Sequence, residues 1–290
     1  MFAGAFVALV TPFQDGEIDF RTLDELIDFQ LENGIDGIVP TGTTGECPTL
    51  SHEEHKKVIE RVVKAVGGQV PVIAGAGSNS TAEAIELAAF SKKVGADATL
   101  QVDPYYNKPT QEGFYQHFKA IAEEVDLPVV LYDIPGRCAA GMTAETIIRL
   151  ADVENIVAIK EATGKLDHVS EISIGCDLTI LSGDDSLTLP IASVGGKGVV
   201  SVVANIVPAD VKAMTDLILE ADLVQARQWH KKLFALSKNL LSLATNPIPI
   251  KAAMAMLNMC PEEMRLPMVA MDQRKKVCLE KGLQEYGLVS

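Results

Sequence analysis

Two hydrophobic periods share this chain, and they take turns. Short, mostly apolar runs recur at AFVALV (5–10), GIVP (37–40), PVIAGAG (71–77), ATLQV (98–102), PVVLYDIP (128–135), IVAIKEA (156–162), LTILSGDD (178–185) and GVVSVV (198–203). Their length and β-branched content read as buried strands. Between them, residues 20–32, 51–66, 81–94, 112–125, 143–151, 167–173, 186–193 and 208–219 carry apolar positions at helical spacing. Ser51 with Glu54 and Ser80 with Glu83 have the spacing of capping boxes at helix starts.

Eight strand–helix units in succession predict a parallel sheet, because each helix supplies the crossover. Eight such units close naturally into a (β/α)8 TIM barrel. An open doubly wound sheet is the competing α/β architecture, but it usually has fewer strands, and no G-x-G-x-x-G follows the first strand. The units end near residue 220. The remainder reads as helices at 222–243, 250–258 and 272–286, with NPIP (246–249) as a breaker. No Gly/Ser-rich linker intervenes. The expected organisation is therefore a catalytic barrel over 1–220 and a C-terminal helical subdomain over 221–290, packed on the barrel.

Composition narrows the function classes. The chain has 290 residues and is 48 % apolar, enough for a large core. No apolar run approaches the ~18 residues that span a bilayer. The apolar start MFAGAFVALVTPF has no basic residue before Arg21, so it reads as a first strand rather than a signal peptide. A net charge of −14 argues against a nucleic-acid partner, while an anionic small molecule remains possible at a local positive site. Cysteines 47, 138, 176, 260 and 278 are scattered, odd in number and without C-x-x-C, which suits reduced thiols in the cytoplasm.

In a barrel, reactive groups belong at the C-terminal ends of strands. Lys160 interrupts an otherwise apolar strand there. By alternation, Ile156, Ala158, Lys160 and Ala162 share the barrel face, and Val157 and Ile159 the helix face. Desolvation favours a neutral amine, as a Schiff-base nucleophile requires. A lysine paired with Asp or Glu is the other explanation of the same position. Tyr132 ends the preceding strand, near enough to relay protons to an amine on its neighbour, or to serve as a core tyrosine. The loop TGTTGE (41–46) offers backbone N–H groups around Gly42 and Gly45, plus the hydroxyls of Thr43 and Thr44. Such a nest binds a carboxylate, although an ordinary turn has the same composition. Arg137 could hold a second carboxylate with its guanidinium fork, or lie on a surface loop. His52 and His55 stand three apart near Cys47. That is not H-E-x-x-H spacing and no third ligand is evident, so no metal is expected. Tyr105 and Tyr106 would point opposite ways if DPYYNKP is extended.

These features occur together in one family. AFVALVTPF, GTTGECPTLSHEEH, PVIAGAG, PYYNKPTQEG, YDIPGR, IKEATG, LSGDD and NPIPIK, spread from Phe2 to the last helices, resemble the dihydrodipicolinate synthase family within the class I, pyruvate-dependent aldolase superfamily. The resemblance implies a barrel with a helical C-terminal subdomain, assembled as a tetramer of tight dimers. It implies that Lys160 forms a Schiff base with pyruvate, that Tyr132 relays protons with Thr43, and that Tyr106 enters the partner's site. Thr44 would hold the pyruvate carboxylate, Arg137 the carboxylate of L-aspartate 4-semialdehyde, and Gly183 and Val200 would shape the pocket. No cofactor is implied, because the imine itself supplies the activation. A second site for L-lysine is implied at His52, His55, Asn79, Glu83 and Tyr105. The sequence departs from the family pattern at Cys47, Asp133 and Cys138. Siblings acting on sugar aldehydes, such as N-acetylneuraminate lyase and 2-keto-3-deoxy sugar acid aldolases, share the lysine and tyrosine. A non-catalytic keto-acid or lysine sensor is the reading from another class.

Overall fold

The computed structural model describes residues 2–289. Eight parallel strands form the sheet: β1 (Gly4–Ala8), β2 (Gly37–Val39), β3 (Ile73–Gly75), β4 (Ala98–Val102), β5 (Val129–Asp133), β6 (Ile156–Glu161), β7 (Thr179–Ser182) and β8 (Gly198–Ser201). β1 pairs with both β2 and β8, and the rest follow in sequence order. A parallel bridge between Ile38 and Val72, with Ile38 N–H donating to the Pro71 carbonyl at 3.0 Å, brings β2 against β3 and nearly closes the barrel. The strands and barrel helices fall where the hydrophobic periods change. The helices are α1 (Phe20–Glu32), α2 (His52–Val66), α3 (Thr81–Val94), α4 (Gln111–Glu124), α5 (Ala144–Ala151), α6 (Leu166–Gly175), α7 (Thr188–Ala192) and α8 (Pro208–Leu219).

The capping boxes divide. At α2 the box is complete: Ser51 N–H donates to Glu54 Oε2 at 2.8 Å, and Glu54 N–H to Ser51 Oγ at 3.2 Å. At α3 only half forms. Ser80 Oγ accepts from Glu83 N–H at 3.5 Å, while the Glu83 carboxylate accepts from Ser78 Oγ at 2.7 Å instead. Two features escape the periodicity. One is a two-residue-a-side hairpin, Phe13–Gln14 with Glu17–Ile18. The other is a single helical turn, Pro135–Cys138.

The core is layered. Phe6, Ala8, Val39, Ile73, Leu100, Val130, Tyr132, Ala158, Leu181 and Val200 fill the barrel interior. Outside it, one apolar cluster joins the sheet to α4, α5 and α6. A second joins β1, α1, α2 and α8 to the last three helices, α9 (Leu223–Ser242), α10 (Ile248–Met256) and α11 (Gln273–Tyr286). The C-terminal helices thus share one continuous core with one side of the barrel. None of the described helices is long and apolar enough to cross a membrane.

One parity expectation needs correction. Ile156 packs in the outer cluster and Val157 against the barrel interior, the reverse of simple alternation. The register shifts between Val129 and Val130, so that Val129 pairs with Ile156 and Val130 with Ala158. Val157 is the extra residue of a bulge, which resets the alternation. From Ala158 onward the expected faces hold, and Lys160 still points inward.

Candidate active site

β5 and β6 are in register at their C-terminal ends, Tyr132 directly beside Lys160 and Asp133 beside Glu161. The Lys160 Nζ stands 4.0 Å from the Tyr132 ring centroid. Lys160 is only 5 % exposed, and no carboxylate of the described residues lies within salt-bridge distance of it. Burial drives its amine down to about 7. Asp185 pulls in the opposite direction, and the Arg137 guanidinium adds to the depression. The conditions for a nucleophilic amine are thus met by desolvation without an ion pair.

Asp185 also shapes the site, though in the sequence it is marked only as the last residue of LSGDD. Its carboxylate accepts from Ser201 Oγ and from Val202 N–H at 2.9 Å, yet burial raises it to about 6. Gly183 is required beside it. A Cβ there would lie 2.7 Å from the Ala162 Cβ and 3.2 Å from the Lys160 Cε, so any side chain would crowd the lysine stem.

Tyr132 is buried, which raises its phenol to about 12, while a hydrogen bond with the Thr43 hydroxyl acts to lower it. Thr43 and Thr44 come from the loop after β2. Thr44 Oγ1 accepts from Asn246 Nδ2 at 3.0 Å, and the Asn246 carbonyl accepts from Arg137 Nη2 at 2.9 Å. The single turn Pro135–Cys138 carries Arg137 to the exposed mouth. Thr43, Thr44, Tyr132, Arg137, Lys160 and Gly183 line one cavity of about 620 Å³.

Two expected residues stand apart. Val200 lies in the packed barrel interior, and Val202 lines the cavity in its place, because the chain leaves the strand after Ser201. Tyr106 is 90 % exposed and outside its own chain's cavity. Its φ of +72° also means that Tyr105 and Tyr106 do not form an extended pair. Asn246, Thr245 and Leu241, contributed by the C-terminal region, complete the wall. They are weakly marked along the chain. Their one signal was the breaker NPIP, which places a polar Asn where a chain reversal would aim it.

Three further carboxylates lie near the ends of β4, β5 and β6. Asp103, Asp133 and Glu161 are buried, and none lies within salt-bridge distance of Lys160. Glu161 accepts from Thr163 N–H at 3.0 Å and lies 3.5 Å from His168 Nδ1, whose pKa it raises. Burial and the Asp133 charge push Asp103 well above the carboxylate range. Burial likewise raises the thiols of Cys47 and Cys138 to about 12, so both are protonated at neutral pH.

Of the second candidate group, Asn79, Glu83 and Tyr105 lie together, with His55 and His52 at the start of α2. Asn79 Nδ2 donates to the Tyr105 carbonyl at 3.0 Å, and Glu83 reaches Ser78. Tyr105 is within electrostatic reach of Glu83 and Cys47. His55 Nε2–H donates to the Gly75 carbonyl at 2.6 Å, and burial lowers its pKa. His52 is exposed beside it.

A (β/α)8 barrel with an unpaired, desolvated lysine beside a tyrosine at its C-terminal mouth is the architecture of a Schiff-base lyase of the aldolase class. Over residues 1–286 the sequence matches the dihydrodipicolinate synthetase family, and the chain belongs to that family. It is 53 % identical over 290 residues to 4-hydroxy-tetrahydrodipicolinate synthase of Methanocaldococcus jannaschii, covering all of both chains. A dihydrodipicolinate synthase structure from Acinetobacter baumannii, complexed with pyruvate, superposes with a TM-score of 0.97 at 40 % identity, covering 100 % of both chains. One from Cyanidioschyzon merolae, with lysine bound, gives 0.96 at 42 % identity and covers 99 % of both.

Proposed function

We propose that this chain condenses pyruvate with L-aspartate 4-semialdehyde to give 4-hydroxy-tetrahydrodipicolinate, a step towards diaminopimelate and lysine. The observation that carries the reading is the Lys160 amine, buried, free of a carboxylate and in register with Tyr132. Its lone pair attacks C2 of pyruvate. The former carbonyl oxygen takes up protons through Tyr132, backed by Thr43, and leaves as water, giving an iminium. Loss of a C3 proton gives the enamine, whose carbon attacks the aldehyde while the aldehyde oxygen is protonated. The substrate's amino group then attacks the imine carbon, closes the ring and expels Lys160 as the free amine. One water is released per condensation.

Thr44 and the loop N–H groups suit the pyruvate carboxylate, and Arg137 at the mouth suits the carboxylate of the semialdehyde. That arginine favours this aldehyde over a sugar aldehyde, which lacks such a partner. The exposed Tyr106 is free to reach a second protomer, consistent with a tetramer built from tight dimers. The group at His52, His55, Asn79, Glu83 and Tyr105 offers donors and acceptors for a ligand with an ammonium and a carboxylate, and we assign it to feedback by L-lysine. A cytoplasmic site of action agrees with the five free cysteines.

Borohydride reduction in the presence of pyruvate, followed by peptide mapping, tests the reading. A pyruvyl adduct on Lys160 is expected. Absence of an adduct there, or turnover of sugar aldehydes in preference to aspartate semialdehyde, would overturn it.

A further inference from the structure

We infer that Lys251, through a buried ion pair with Glu46, is a positioning residue for the loop that presents Thr43 and Thr44, on the reading that this loop receives the keto-acid carboxylate. Lys251 is the only charged residue of α10, IPIKAAMAM, and its side chain is fully buried. Its Nζ pairs with Glu46, donates to the Glu263 carbonyl at 2.8 Å, and lies 4.3 Å from the Phe13 ring centroid. Glu46 follows Thr44 by two residues and is itself only 2 % exposed.

The loop needs outside support. Thr41 and Glu46 both adopt left-handed backbone conformations, at φ +52° and +55°, which non-glycine residues hold only where their surroundings impose them. Within the loop, Gly45 N–H donates to the Gly42 carbonyl at 3.1 Å and Glu46 N–H to the Thr43 carbonyl at 3.2 Å. The left-handed turn at Glu46 aims its carboxylate at α10 rather than along the loop. There one oxygen meets Lys251 and the other accepts from Arg265 N–H at 3.3 Å.

The start of α10 and the residue two before it together grip the loop twice. Lys251 N–H donates to the Pro247 carbonyl at 3.0 Å, so Asn246 and Lys251 bracket one helical turn. Asn246 holds Thr44 directly, and Lys251 holds Glu46. Asn246 also receives Arg137. One turn of the C-terminal region thereby sets the distance between the carboxylate nest and the mouth. A buried ion pair is poor at adding stability compared with apolar residues of equal volume, but it is directional. Direction is what a loop of irregular backbone requires.

The double variant Glu46→Gln/Lys251→Met removes both charges and leaves neither buried alone. Its amide hydrogens at 41–47 are expected to exchange about tenfold faster than in the parent, and KM for pyruvate to rise about tenfold, with KM for the aldehyde unchanged. A merely structural pair would lower the melting temperature and leave both constants at parent values per folded molecule. Should the double variant fail to fold, Glu46→Asp keeps the charge and withdraws the carboxylate by one methylene. It should show the same rise in pyruvate KM and faster loop exchange. Parent exchange rates and parent KM in whichever variant folds would overturn the assignment. Hydrogen exchange reads the clamp without substrate, so a parent chain that forms no pyruvyl adduct would sink the proposed function and leave this test intact.

Discussion

Two lysines are buried among the described residues, and their surroundings differ in one respect. Each amine lies against an aromatic ring, Phe13 for Lys251 and Tyr132 for Lys160, but Lys251 is also paired with Glu46 and donates to a carbonyl, whereas Lys160 has no carboxylate within salt-bridge distance. Burial lowers the pKa of both amines. At Lys251 the Glu46 charge counteracts burial at contact distance. At Lys160 the counteracting carboxylate, Asp185, is engaged with Ser201 and the Val202 amide, and Arg137 adds to the depression. The same side chain is thus a paired group in one place and an unpaired, desolvated amine in the other. Burial alone does not separate them; the partner does.

The largest effect expected from breaking this contrast is chemical. Lys160→Met should remove the pyruvyl adduct and reduce turnover by about 10⁴-fold or more, read by borohydride trapping and steady-state rates. Tyr132→Phe should leave the adduct able to form but slow turnover by roughly 10²–10³-fold, measured as kcat, because it removes a proton relay and keeps the ring.

Stability should move in opposite directions at the two lysines. Lys251→Met strands Glu46 in the interior and should cost about 3–5 kcal/mol in urea unfolding. Lys160→Met removes a desolvated amine with no compensating partner and should stabilise, on the order of 2 kcal/mol at pH 6. The sign follows from the lowered folded pKa. The unfolded chain holds the Lys160 proton more tightly, so the penalty is complete below pH 7 and fades as pH rises from about 7 towards the ordinary lysine value. The gain in the variant should therefore shrink between roughly pH 7 and 10. Equal stability changes of one sign at both positions would dissolve the contrast.

Smaller effects sharpen it. The rate of adduct formation should climb with pH and level off above about 7, where the Lys160 amine is neutral. A rate still rising at pH 9 would mean an ordinary lysine. Arg137→Met should raise KM for aspartate semialdehyde about tenfold, with a much smaller change for pyruvate through the Lys160 amine, as expected for one lost charge-assisted contact at an exposed mouth.

Much of this was legible along the chain. The alternation of periods carries the barrel, since β-strand and helix patterns cannot substitute for one another. Lys160 announces itself because an ammonium is improbable in an apolar strand, and Tyr132 and the Thr43 loop follow from the rule that strand ends carry function. Lys251 is the same kind of anomaly, a lone charge in IPIKAAMAM, yet its partner Glu46 lies more than two hundred residues away. Nothing local connects them. The bulge at Val157 escaped for a related reason: one extra residue in a strand changes no composition, only which face each later side chain takes.

Hydrophobic period, turn residues and the placement of rare charges were sufficient, by themselves, for the barrel, its strand ends and the anomaly of a lysine in an apolar strand, because each is a property of neighbouring residues. Tertiary structure alone decided which buried lysine is paired, that Val202 rather than Val200 lines the cavity, and that the C-terminal helices supply Asn246 and Lys251 to the Thr43–Thr44 loop. Those are contacts between distant segments, and their energies depend on distance and desolvation that a linear pattern does not contain.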